Sequence, residues 1–183
     1  MSIIATAVIA LVATWAVYAF NRLVRLRNQV RTAWADIDVQ LTRRHDLAPQ
    51  LVAAVKAYAS HEQATLAAVT ELRARAVSLR GPAQLGAVEA ELEQALARLF
   101  ALEESYPDLK ANENYAQLHS DLVKIEDHLQ YARRFYNGAV RDYNDGVQRI
   151  PDLLLARAFQ FMAAEFYQAR EAERAPVRVG ATA

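Results

Sequence analysis

Cysteine is absent from all 183 residues, so no disulfide framework, zinc ribbon or thiol nucleophile is available. Glycine and proline are scarce, five of each, which leaves little punctuation for strands and hairpins. An excess of one charge is missing too. The 21 basic side chains balance 21 acidic ones, leaving no bulk electrostatic footprint for nucleic acid. No G-x-S-x-G elbow and no Gly-rich phosphate loop occurs. His61-Glu62 opens like the zinc motif H-E-x-x-H, but position 65 is Thr, so the second imidazole one turn on is missing. No Glu is followed by His at the third position, which removes the di-iron bundle pattern. His119 and His128 sit among Asp121, Lys124, Glu126 and Asp127 and read as a charged outer face. Glu103 and Glu104 are neighbours, about 100° apart on a helix, and do not converge. No residue nominates itself as catalytic, and neither cofactor nor metal is expected.

The most informative absence is local. Ser2 to Phe20 holds no Asp, Glu, Lys, Arg or His across 19 residues. At about 1.5 Å per residue, such a helix crosses a hydrocarbon layer of about 30 Å. A cleavable signal peptide is the main rival, with Val17-Tyr18-Ala19 as an acceptable cleavage pattern, but its charged n-region is absent. The reading is a single N-terminal anchor. Arg22, Arg25, Arg27 and Arg31 follow it, and basic flanks favour the cytoplasm, which puts the N-terminus outside and the rest inside. The same arginines suit anionic headgroups or acidic partners in the folded part; the spacing does not choose.

What is abundant is helix formers. Ala, Leu, Glu, Arg and Gln dominate, and apolar residues step by three or four along most of the chain. Leu23, Leu26, Val30, Trp34, Ile37 and Leu41 form one stripe, continued by Leu51, Val55 and Tyr58. Within Arg43-Arg44-His45-Asp46-Leu47-Ala48-Pro49, Pro49 predicts a kink, or a restart capped by Asp46. The pattern then runs to about Leu79, where Gly81-Pro82 breaks it. Leu85, Val88, Leu92, Leu96, Leu99 and Leu102 mark a further helix over about 83–105. Tyr106-Pro107-Asp108 ends it, and Asp108 or Asn112 is the candidate cap of the next.

The longest helix is predicted over about 111–150, with 3-4 spacing from Tyr115 to Ile150, the period of a coiled-coil seam or a long bundle helix. A last helix is predicted from Leu153 to about Arg170, followed by a disordered tail over 171–183. The expected fold is all-α: an elongated antiparallel bundle of four or five long helices on a membrane stalk, with 1–20 as anchor and 21–170 as bundle. Tyr136-Asn137 and Tyr143-Asn144 repeat at seven residues. Buried Asn in such a repeat is expected to bond across the bundle and set register; the alternative is a binding face.

Two stretches carry a family likeness. Asn21 to Glu62 and Tyr106 to Pro151 resemble the two blocks of the bacterial LemA family. The pieces are Arg27-Asn28, Ala33-Trp34, Ile37 to Leu41, Arg43-Arg44, Asp46-Leu47, Tyr106 to Asn112, Tyr136-Asn137 and Tyr143-Asn144. Phe20-Asn21 stands where the family usually has Tyr-Asn, and Ala48-Pro49-Gln50 where it has Ile-Pro-Asn. The resemblance implies long antiparallel helices held at the bacterial inner membrane by the first, with no established catalytic activity. It also implies roles in membrane organisation, or as an adaptor for membrane proteases.

Two functions are therefore expected to compete. One is a non-enzymatic scaffold, homo-oligomeric and in contact with membrane lipid, its span offering Ala5, Ala7, Ala10, Ala13, Thr14 and Ala16 for close helix approach. The other is an adaptor presenting a face to another membrane protein. Candidate interaction or register residues are Trp34, Asp38, Arg43, Arg44, Asp46, Tyr106, Asp108, Asn112, Tyr136, Asn137, Tyr143 and Asn144, with Tyr106–Asn112 and Arg43–Asp46 the favoured adaptor surfaces.

Overall fold

The computed structural model describes residues 2–167. Most of them are helical, with no strand among the described residues. Helix α1 spans Ser2–Lys56, α2 Gln63–Ser78 and α3 Pro82–Phe100. A 3-10 turn at Ala101–Glu104 leads to the short α4, Pro107–Lys110, then to α5, Glu113–Gln148, and α6, Asp152–Ala158. The all-α expectation holds. Two compact units form, one from 2–41 with 127–166, the other from 42–126 with 167.

The first unit pairs α1 with the later part of α5. Leu23, Ala33 and Ile37 are buried against a face of α5 that buries Leu129, Tyr136, Val140 and Tyr143. Trp34 meets Tyr136 with ring centroids 5.5 Å apart, while Gly146 lies against Leu23 and Leu26, so the two helices run antiparallel. Ile150 departs from the predicted seam and is exposed, because α5 has already ended.

The predicted last helix is much shorter than expected. α6 stops at Ala158, and 161–167 has no regular secondary structure. Gln160 adopts φ 54°, the left-handed conformation. The Phe161 N–H bonds the Ala156 carbonyl at 2.9 Å and the Gln160 N–H bonds that of Arg157 at 3.3 Å, the paired bonds of a Schellman stop. Such stops are usually read from a glycine, and this one has none. The tail predicted over 171–183 lies outside the described residues.

The second unit is built on Leu51, Val55, Leu66, Val69, Leu92, Leu99, Leu109, Tyr115 and Leu122, among others. Of the two readings of Pro49, the continuing helix holds: α1 runs through it without a restart at Asp46. Proline cannot donate to the carbonyl four residues back, and that carbonyl, of His45, instead accepts from Arg73 Nε on α2 at 3.2 Å. Where the helix was expected to carry on, it ends: 57–62 is a turn, with Ala59 fully buried. Reversing there brings Leu66 and Val69 back onto Ala48, Leu51 and Val55. At the next corner the expectation holds. Gly81, at φ 95°, precedes Pro82 at the first position of α3.

Candidate functional site

In the second unit, a charge cluster sits where the apolar pattern places core. Arg44 falls on the stripe of Leu41, Ala48 and Leu51, and Glu89 on that of Leu85, Leu92 and Leu96, by 3-4 spacing. Arg44 is 1% and Glu89 0% exposed. Their side chains bond directly, and Arg44 Nη1 also donates to Glu126 Oε2 at 2.7 Å. His45 Nε2 lies 2.6 Å from the other Glu89 oxygen. Burial by itself pushes the Glu89 carboxyl up. The hydrogen bond from His45 and the charge of Arg44 outweigh it, and the group is held below the usual carboxylate range.

With Arg73 on the His45 carbonyl, the cluster ties α1, α2, α3 and α5 together. The Glu89 carboxylate is fully buried and each of its oxygens is bonded to a side chain of α1, so the arrangement is that of a clamp. The Arg43–Asp46 surface is corrected accordingly: Arg43 and Asp46 are exposed, while Arg44 and His45 face inward. Glu89 was not among the expected residues, although a Glu with Leu at −4, +3 and +7 was a readable signal.

A second polar group gathers at the opposite corner of that unit. Asn112 caps α5, its Oδ1 accepting from the Tyr115 N–H at 2.9 Å, while its amide donates to the Tyr58 hydroxyl at 3.0 Å. The Tyr106 hydroxyl lies 3.3 Å from Glu62, and Tyr115 donates to Glu103 at 3.2 Å. Burial, then the Glu103 charge, pushes the Tyr115 phenol well up. His119 stacks on Phe100 with centroids 4.2 Å apart, so it is more than a solvated outer residue. Asp108 is exposed.

In the first unit, three members of the Tyr–Asn repeat bond to the segment after α6. Tyr136 donates to the Glu165 carbonyl at 2.8 Å and Tyr143 to that of Met162 at 2.9 Å. Asn144 both donates to the Ala164 carbonyl, at 3.0 Å, and accepts from its N–H, at 2.8 Å. The side-chain amide completes the pairing that a neighbouring strand would supply. Tyr136, Tyr143 and Asn144 therefore hold the irregular segment 161–167, whose backbone has no helix to satisfy it. Burial first, then Glu165, pushes the Tyr136 phenol up to about 12. Asn137 and Trp34 are half-buried and Asp38 is exposed.

The arginines after the span divide. Arg22 pairs with Asp152 at 2.7 Å, and the Arg27 guanidinium lies 4.9 Å from the centre of the Phe161 ring. Arg25 and Arg31 are exposed. Residues 2–14 are exposed throughout, including Ile3, Ile9 and Leu11, and α1 is long and apolar enough there to cross a membrane.

Comparison with known proteins matches residues 33–180 to the model of the LemA family. The chain is 26% identical over 161 residues to Protein LemA of Metamycoplasma hominis, covering 86% of this chain and 72% of that protein. It is 34% identical over 97 residues to Magnetosome protein MamQ 2 of Paramagnetospirillum magneticum, covering 53% of this chain. That match takes in 35% of the MamQ 2 length, so the chain spans about a third of this relative. Magnetosome protein MamQ of Magnetospirillum gryphiswaldense is 23% identical over 202 residues, 95% of this chain and 74% of that protein.

Proposed function

This chain belongs to the LemA family, and from that premise we propose a non-enzymatic, membrane-anchored scaffold that self-associates and organises membrane or membrane proteins. The carrying observation is α1. One uninterrupted helix contains the bare apolar span and continues into the folded core as far as Lys56. Exposed Ile, Val and Leu over such a length call for lipid or protein around them. The span's small residues favour a second copy of the same helix beside the lipid. Relatives that bear the name magnetosome protein are in keeping with membrane organisation. The expected setting is the bacterial inner membrane, N-terminus out and both units cytoplasmic. Exposed Arg25 and Arg31 support that direction.

The test is native mass of the full-length protein in mild detergent, beside a shortened chain starting at Asn21. A large defined assembly formed only by the full-length protein supports the scaffold. Monomers from both would end it.

One observation favours the adaptor reading. A surface groove in the first unit is lined by Val39, Tyr131 and Phe135, all exposed, together with Asp36, Gln40 and His128. Aromatic side chains in a groove are the composition of protein-binding hot spots. A photoreactive residue at Tyr131, or at exposed Asp108 in the second unit, would capture a membrane protein if that reading is right. Capture of only this chain by both probes would eliminate it.

A further inference from the structure

Apart from the span, one stretch of the first unit exposes large apolar side chains in quantity. Ile150, Leu154, Phe159, Met162 and Phe166 are 80%, 68%, 57%, 80% and 45% exposed. Single residues of this kind are ordinary, but five within 150–166 form a surface that needs a cover.

Its level along α1 is set by contacts within the unit. Phe20, the last residue of the span, meets Phe159 edge-on at 5.0 Å and Phe161 at 5.8 Å. Arg22 pairs with Asp152 two residues later. A helix from Ser2 to Phe20 rises about 28 Å against a hydrocarbon layer of about 30 Å, so Phe20 stands where α1 leaves acyl chains for headgroups. Contact continues inside the span: Ala19 is buried and Trp15 and Ala16 are half-buried, whereas 2–14 are exposed. The charges complement the level. Asp152 is engaged by Arg22, and the exposed charges over 149–166 are Arg149, Arg157 and Glu165, with exposed Arg25 on α1 adding a third cation.

We propose that residues 150–166 form a second membrane-contacting element, lying in the headgroup layer beside the span. Leu154, Phe159 and Met162 reach the acyl boundary, while Arg149 and Arg157 meet anionic lipid phosphates. The Tyr136, Tyr143 and Asn144 bonds then have a purpose beyond packing, because they fix an irregular segment at the depth where it touches lipid. α1 and this segment together give the first unit two attachments to one bilayer, which sets its tilt and rotation. The inference rests on the anchor reading, and its test separates the two.

The chain has no cysteine, so single-cysteine variants are uniquely labelled. Full-length Val12→Cys, Leu154→Cys, Met162→Cys and Val39→Cys, each carrying nitrobenzoxadiazole, are reconstituted in phosphatidylglycerol–phosphatidylethanolamine vesicles. Quenching by doxyl-labelled phospholipid is compared with quenching by aqueous iodide. Positions 154 and 162 are expected to lose fluorescence to doxyl lipid as position 12 does, with blue-shifted emission. Position 39, about 28 Å along α1 from Phe20, is expected to respond to iodide alone. If 154 and 162 behave like 39, or are shielded from both quenchers by a protein cover, the proposal is overturned while the anchor stands. No lipid quenching at position 12 overturns both.

Discussion

Replacing Glu89 by Gln keeps the shape of the side chain and removes the charge that faces Arg44 and His45. Arg44 is 1% exposed, so little water reaches the cation to replace the lost carboxylate. Removing one partner of a buried ion pair costs about 3–5 kcal/mol, because the other charge stays desolvated. Glu126 remains on Arg44 at 2.7 Å, which places the variant near the lower end, about 3 kcal/mol. For a chain of this size that is a fall in Tm of roughly 6–12 °C, at 2–4 °C per kcal/mol.

The pH dependence is a separate check. The folded pKa of Glu89 lies below its unfolded value, so its contribution is complete above the unfolded value of about 4.3 and is lost as pH falls through the folded one. Thermal melts followed by circular dichroism in detergent should therefore show a gap between wild type and Glu89→Gln that narrows as pH falls below about 5. The double variant Arg44→Met with Glu89→Leu should regain much of the loss, since apolar replacements of a buried pair are commonly neutral. A Glu89→Gln protein melting within about 2 °C of wild type, or a gap that fails to narrow below about pH 5, would refute the clamp.

Three further outcomes follow from single bonds. Arg73→Met should cost about 1–2 kcal/mol by orphaning the His45 carbonyl, and much less in a Pro49→Ala background, where the backbone N–H restored at position 49 takes over that carbonyl; equal costs in both backgrounds would break the link. Asn144→Ala removes both bonds to Ala164, and hydrogen exchange should accelerate at the Ala164 amide while the second unit is unchanged; an unaltered amide would count against the side-chain clamp. At Gln160, φ 54° predicts a loss of about 1–2 kcal/mol for Val and none for Gly; equal melting temperatures for the two would show that the left-handed stop is not required.

Much of the fold was legible because helical periodicity is a local signal. The span, the stripe from Leu23 to Leu41, the Gly81-Pro82 break and the long α5 all rest on residues three or four apart, or on one breaker pair. Asn112 as a cap was equally readable. The candidate site was readable only in pieces. Arg44 was named but placed on the surface. Tyr136, Tyr143 and Asn144 were named but given a partner helix in place of an irregular segment.

What the sequence determined by itself is an all-α chain with a charge-free apolar entry helix, because backbone hydrogen bonding within a helix needs no distant partner. Tertiary structure alone decided where helices stop when no glycine or proline marks the place: the turn at 57–62 and the left-handed Gln160. It also decided that α1 survives Pro49, since the missing bond is compensated from α2, and that Arg44 and Glu89 turn inward. A buried charge is tolerable only when its counter-charge arrives, and here that partner is 45 residues away in sequence. No local pattern carries that information.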